Sequence, residues 1–409
     1  MGMEEHPALS SDSRCLAAKV CAIVLAMAGY VLLWSGFKPV VFSGVKADFS
    51  CFYRAGRMVA VGDGAQVYDL AAQSRYDRGL GSEFVDGSGR RFSLPFVFPP
   101  YALAVLAPMS RLPYRWAELM WFAANAGMLL ALPFVLRRAL RWDDKPVVAA
   151  LVAPVVFVPA VLALMQGQLS ILMLLLFAIA FAGMAEGNDA QAGLALAFTT
   201  LKPQFALAML LALMVWRKWR ALAAFTSTCL ALLGVSVAIV GWQATLHYPR
   251  AVMEFNRLPG ALGGEHPESM PNVRGCLYAL LYGRVSEAAV GWVTAGMSIV
   301  LLAGMAALLK RGGRISAASY SLVMVMALLA SYHAYLHDAS LLLLPMMLMW
   351  SEQWSAPRVV LAAAMLGMYV VPVLPTSLSA TAAQMAMVMA LFAAGLCMDQ
   401  RDPQASSVS

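Results

Sequence analysis

The chain predicts an all-helical protein that crosses a membrane many times. Three observations carry this: 61% of its 409 residues are hydrophobic, only 12% are charged, and the mean hydropathy is +0.72, well outside the range of a soluble globular chain. A crossing takes about 20 apolar residues, so a chain of this length holds roughly a dozen. One integral membrane domain over 16–398 follows, between a cytoplasmic N-terminal tail, 1–15, and a polar C-terminal tail, 399–409.

Twelve apolar runs read as spans: 16–36, 114–136, 146–165, 168–185, 189–201, 204–216, 219–241, 287–309, 315–332, 338–351, 358–374 and 380–398. The first is long and lacks a cleavage site, so it reads as a retained helix rather than a signal peptide. A further apolar piece, 95–109, holds Pro95, Pro99, Pro100 and Pro108 and is short for a crossing, which suits a re-entrant segment. Two long loops remain, 37–112 and 242–286. In the first, Phe49, Phe52, Tyr53 and Gly56 alternate with Arg54 and Arg57 at near-helical spacing, predicting an amphipathic helix in the interface, and a second amphipathic stretch starts at Val67-Tyr68-Asp69.

Cytoplasmic loops carry the excess of Lys and Arg. With the N-terminus inside and 95–109 not crossing, the inside turns are 137–141, 186–189, 217–220, 310–314 and the segment ending at Arg358, and four of these five hold cations. The outside then receives 37–112, 166–168, 202–204, 242–286 and 333–338. Were 95–109 to cross, 189–216 would become one kinked helix and 166–168 would change sides.

The net charge of +7 sits in short turns, with no basic run longer than Arg217 to Arg220, so membrane topology explains it and no nucleic-acid partner is expected. The six cysteines are scattered without CxxC spacing, which indicates neither a metal site nor a disulfide framework.

Several polar groups stand out against this apolar background. Asp48 lies about a dozen residues beyond the first run, at the water-lipid boundary, where it reads either as a helix N-cap or as a reactive carboxylate open to substrate. Gln166-Gly167-Gln168 is either a plain turn or a place where backbone and Gln168 approach a ligand. Lys202 before Pro203 must pair or snorkel, and an ammonium at a helix start is also a natural phosphate site. His333 and His337 stand at i,i+4, one face of a helix end; without HExxH or a second ligand cluster they suit hydrogen bonding to substrate rather than metal. In the loop 242–286, Asn272 and Arg274 are singled out by their place just before an apolar stretch.

Taken in order, these motifs resemble the integral-membrane glycosyltransferases of family 87, which have a GT-C type fold and include phosphatidylinositol-mannoside mannosyltransferases. The resemblance is carried by Asp48 with Phe49 and Tyr53, Gly64 to Asp69, Phe98-Pro99-Pro100 through Pro108, Leu112-Pro113 to Trp121, Gly167-Gln168, Leu201 to Gln204 with Trp216 to Ala221, Asn272 to Gly275, and Ser331 to His337. It departs at Leu169-Ser170, where the family often has an asparagine, and at the spaced rather than adjacent histidines.

The resemblance implies an inverting transfer of a monosaccharide, mannose being one candidate, from a polyprenyl-phosphate donor to a glycolipid or glycan of the cell envelope. The active site would lie on the external face of the plasma membrane, and no cofactor or metal would be required. Asp48 matches the family's proposed catalytic base. Such a donor brings its own phosphate leaving group, so the protein needs one base and cations to hold the phosphate, here Lys202 and Arg274. Gln168, Tyr53, Asn272, His333 and His337 are the expected substrate-binding residues. A transporter or flippase of lipid-linked saccharides is the alternative; it would need coupling-ion ligands near the bilayer midplane, whereas the polar groups here gather near one surface.

Overall fold

A computed structural model gives the structure of residues 47–76, 84–85, 91–92, 94–255, 266–281, 283–350, 356–374 and 376–399. The chain divides at Gly44 and Val45 into two units, and all described residues belong to the second. The expected first span 16–36, the tail 1–15, the C-terminal tail beyond Asp399 and parts of both long loops lie outside the described residues.

Helix α1 (Ala47–Ala60) is followed by a 3₁₀ turn, Gly64–Gln66, and the short α2 (Leu70–Arg75). A two-residue antiparallel pair joins β1 (Phe84–Val85) to β2 (Arg91–Phe92). A 3₁₀ turn, Pro100–Ala102, leads into α3 (Leu103–Met109). Then come α4 (Tyr114–Ala139), α5 (Asp144–Val156), α6 (Val158–Gln166), α7 (Ser170–Ala185), α8 (Asp189–Phe198), α9 (Pro203–Val215) and α10 (Trp219–Phe255). The last group is α11 (Val273–Leu281), α12 (Glu287–Gly312), α13 (Ala317–Leu329), a 3₁₀ helix Leu336–Leu342, α14 (Leu343–Trp350), α15 (Ala356–Val370) and α16 (Leu378–Asp399).

Every apolar run after the first folds as helix, but few are long. Among the described residues four helices have the length and apolarity to cross a membrane, α4, α10, α12 and α16, and a fifth span results if α5 and α6, bent by 67°, count as one. Proline and glycine explain the interruptions. Pro159 lacks the N–H that would continue the ladder from α5, and Phe157 is extended (φ −91°, ψ 103°). Pro203 disfavours the helical conformation at Lys202 (φ −129°, ψ 80°), so α9 begins at the proline. Gly167 ends α6 in the left-handed conformation (φ 70°), and the Gln168 N–H turns back to Ala163 O at 2.9 Å. Within α10 the helical dihedrals break at Gly241 (φ 82°, ψ 166°), where the span expected over 219–241 ends.

The sequence suggested an amphipathic α1 lying in the interface; the structure buries it instead. Phe49, Ser50, Phe52, Tyr53, Arg54, Ala55 and Met58 are all buried, and from Asp48 to Met58 only Arg57 is exposed. Two features permit this. Gly56 brings α1 against the backbone of α3, where a Cβ would stand 2.5 Å from Leu106 O. Arg54, the cation that suggested a wet face, is held inside by Gln73 Oε1 (3.1 Å) and the Leu94 carbonyl. Phe49 then stacks on Trp121 of α4, ring centroids 6.0 Å apart at 27°.

Side-chain contacts sort the turns into two sets. Arg138 pairs with Glu186 at 3.6 Å and Lys218 with Asp189 at 2.9 Å, joining the α4–α5, α7–α8 and α9–α10 turns. The other set comprises the start of α1, the α6–α7 turn, the α8–α9 turn, the start of α11 and the segment 331–338.

Candidate functional site

The segment from Ser331 to Asp338 is the strip on which this second set converges. Asn272 Nδ2 donates to Ser331 O at 3.0 Å, and Arg274 donates to Tyr332 O at 3.2 Å with its guanidinium 3.7 Å above the Tyr332 ring. Gln204 donates to His333 O at 3.1 Å, and the His266 N–H reaches the Tyr335 hydroxyl at 2.9 Å. At its end, Asp338 is fully buried.

Asp338 has its carboxylate filled from both sides. Oδ1 takes the Lys202 ammonium at 2.5 Å and the Ser170 hydroxyl at 2.6 Å. Oδ2 takes the Tyr335 N–H at 3.0 Å, and His337 Nε2 lies 3.4 Å away. Lys202 in turn reaches Gln168 Oε1 at 3.3 Å and Ser170 Oγ at 3.2 Å, so its three donors all have partners. The ammonium between two apolar helices is therefore paired rather than snorkelling, which is what a buried charge requires.

Asp48 stands in the first turn of α1, inside the helix rather than at its cap, where the macrodipole favours an anion. It is hydrogen-bonded to Gln168 and, unlike Asp338, keeps part of its surface accessible. Burial pushes its carboxyl above the ordinary carboxylate range. The charges of His337 and Lys202 and the Gln168 hydrogen bond oppose this, and Asp338 adds to it. Two carboxylates thus share one polar centre in unequal surroundings.

The structure brings Asp48, Gln168, Lys202 and His337 together, and ties Asn272 and Arg274 to the same strip. Tyr53 turns elsewhere: its hydroxyl donates to Leu112 O at 2.7 Å and its ring packs on Tyr114. Asn272 spends its amide on Ser331 and on the Gly275 N–H, 2.9 Å away, which makes it a fastener of the strip. His333 lies edge-on to Tyr335, centroids 4.9 Å apart.

The i,i+4 helical face expected for His333 and His337 does not form. His333 precedes the 3₁₀ helix and His337 is within it, because Tyr335 is extended (φ −106°, ψ 176°) with its N–H held by the Asp338 carboxylate. Among the described residues no three His, Cys, Asp or Glu side chains are grouped to hold a metal ion.

Sequence reasoning missed the parts played by Ser170 and Asp338. A signal existed for the second: Asp338 opens one apolar run as Lys202 interrupts the approach to another, and a buried anion and a buried cation are each other's cheapest partner.

Compared with known proteins, residues 96–331 match the family model for glycosyltransferase family 87. That match takes in Gln168, Ser170, Lys202, Asn272 and Arg274; Asp48, His333, His337 and Asp338 lie outside it. No curated protein and no solved structure matches the chain.

Proposed function

The chain belongs to glycosyltransferase family 87, and from that membership we propose that it is an inverting enzyme that moves a sugar from a polyprenyl-phosphate donor to a hydroxyl of a cell-envelope glycolipid or glycan. Asp48 is the base. The acceptor oxygen attacks the anomeric carbon, its proton passes to Asp48, and the bond to the phosphate oxygen breaks to release polyprenyl phosphate. Arg274 and Lys202 stabilise that phosphate, Lys202 by exchanging Ser170 for a phosphate oxygen. Gln168, His333 and His337 face the acceptor and sugar, with Tyr53 and Asn272 supporting the site from behind.

The observation that carries this reading is the inequality of the two carboxylates. Asp338 has every acceptor position engaged and no accessible surface, so it cannot attack a sugar or take a proton. Asp48 is half-buried and is hydrogen-bonded to Gln168, without an ammonium closed onto it. One working carboxylate suits inversion, whereas retention uses a nucleophile as well as an acid/base.

The grouping of the turns favours about twelve crossings within one integral domain over 16–398, in the plasma membrane, with the active site outside. The turns linked by Arg138–Glu186 and Lys218–Asp189 are the ones that the distribution of cations assigns to the cytoplasm. Those gathered around Asp338 are the ones it assigns to the exterior.

The test is transfer by purified protein in nanodiscs, supplied either with a polyprenyl-phosphate sugar or with the corresponding nucleotide sugar. Product from the lipid donor alone, with inverted anomeric configuration, is expected. Product from the nucleotide sugar alone, or retained configuration, sinks the reading.

A further inference from the structure

We infer that Asp338 is a positioning residue for Asp48: paired with Lys202 and set against His337, it balances the charge beside the base and fixes the placement of the groups that surround it. The inference rests on Asp48 acting as the base. It goes beyond that reading in giving work to a residue that touches no substrate.

The connectivity supports it. Asp338 gathers partners from three separate stretches of chain: Ser170 at the start of α7, Lys202 at the start of α9, and Tyr335 and His337 from its own segment. Two of these partners act onward on Asp48. Lys202 holds Gln168 by its oxygen, which leaves the Gln168 amide group to donate to Asp48. His337 sits against Asp338 and is a neighbour of Asp48 as well.

Among the described residues, the titratable groups facing Asp48 are His337 and Asp338 from the 3₁₀ helix, Lys202 from the α8–α9 turn and Cys51 from α1 itself. Lys202 and Asp338 are charges of opposite sign in this set, and their effects on Asp48 oppose each other. Removing either one therefore leaves an uncompensated charge beside the base, of opposite sign in the two cases.

The experiment is kcat at saturating lipid donor as a function of pH for wild type, Asp338→Asn, Lys202→Met and the double variant, each checked for folding by its thermal transition. The acid limb, which reports ionisation of the base, is expected to move down by about one pH unit in Asp338→Asn and up by about one unit in Lys202→Met. In the double variant it should return towards wild type. A limb unmoved in both single variants, or moved in the same direction in both, overturns the inference. Should one single variant not fold, the other read against the double decides by the same rule. Should neither fold while the double does, the pair serves folding alone, and that too overturns it. Failure of the base reading looks different: wild type shows no acid limb at all, or Asp48→Asn turns over normally.

Discussion

Trp121 closes the turn at Gly167 by donating its indole N–H to the glycine carbonyl at 2.7 Å, while Phe49 lies over the same indole. Phe49 follows Asp48 and Gln168 follows Gly167, so one aromatic side chain sets the base against its hydrogen-bond partner.

Gly167→Ala should therefore damage both stability and turnover. The left-handed conformation costs an L-residue about 1–2 kcal/mol, and the new Cβ would stand 2.9 Å from Phe49 Cβ and 3.3 Å from Trp121 Cδ1. Gly187→Ala is the control: φ there is 79°, yet nothing lies within 4 Å of its Cβ. Both variants should melt lower than wild type, and only Gly167→Ala should lose turnover. Equal turnover in the two would show that this contact does not place Asp48.

Asp48→Asn preserves shape and removes the basic oxygen, so turnover should fall by ~10² to 10⁴ while the fold survives. The pH dependence follows from the direction of the Asp48 shift. A carboxyl raised in the folded state stabilises the fold below its unfolded value, and that contribution is lost as pH rises through the folded value. Wild-type activity should thus gain its acid limb above the ordinary aspartate value of about 3.9, over the window in which Asp48-linked stability declines. Asn at this position should abolish that decline, and thermal scans across pH 3–8 will show whether it does.

Single-cysteine labelling on a cysteine-free background checks the side of the membrane. His266 and Arg217 are both exposed and belong to opposite sets of turns. Position 266 should label in intact cells and position 217 only after permeabilisation. The reverse pattern would put the site in the cytoplasm.

What the sequence made legible was whatever is local. The apolar runs and the breaks at Gly167, Lys202-Pro203 and Gly241 can be read from a few adjacent residues, because apolarity, a missing N–H and a missing Cβ act within a turn or two. Helix length was harder, since Pro154 and Pro159 split a run whose composition still suited a full crossing. Pairings across the chain could not be read. The Lys202–Asp338 contact spans 136 positions, and the Arg54 partners lie 19 and 40 positions away, so a cation that folding buries looks in sequence like one that faces water.

The break at Gly241 has an evolutionary consequence. Beyond it, His247 and Tyr248 set their rings 6.5 and 5.8 Å from Tyr68, and just before it Ile239 O would lie 3.2 Å from a Cβ on Gly64. Segments some 180 residues apart in the chain thus share one packed seam beyond the C-terminal end of α1. Drift in either segment is then constrained by the other, and a chimera that exchanges only one with a relative inherits half of a mismatched joint.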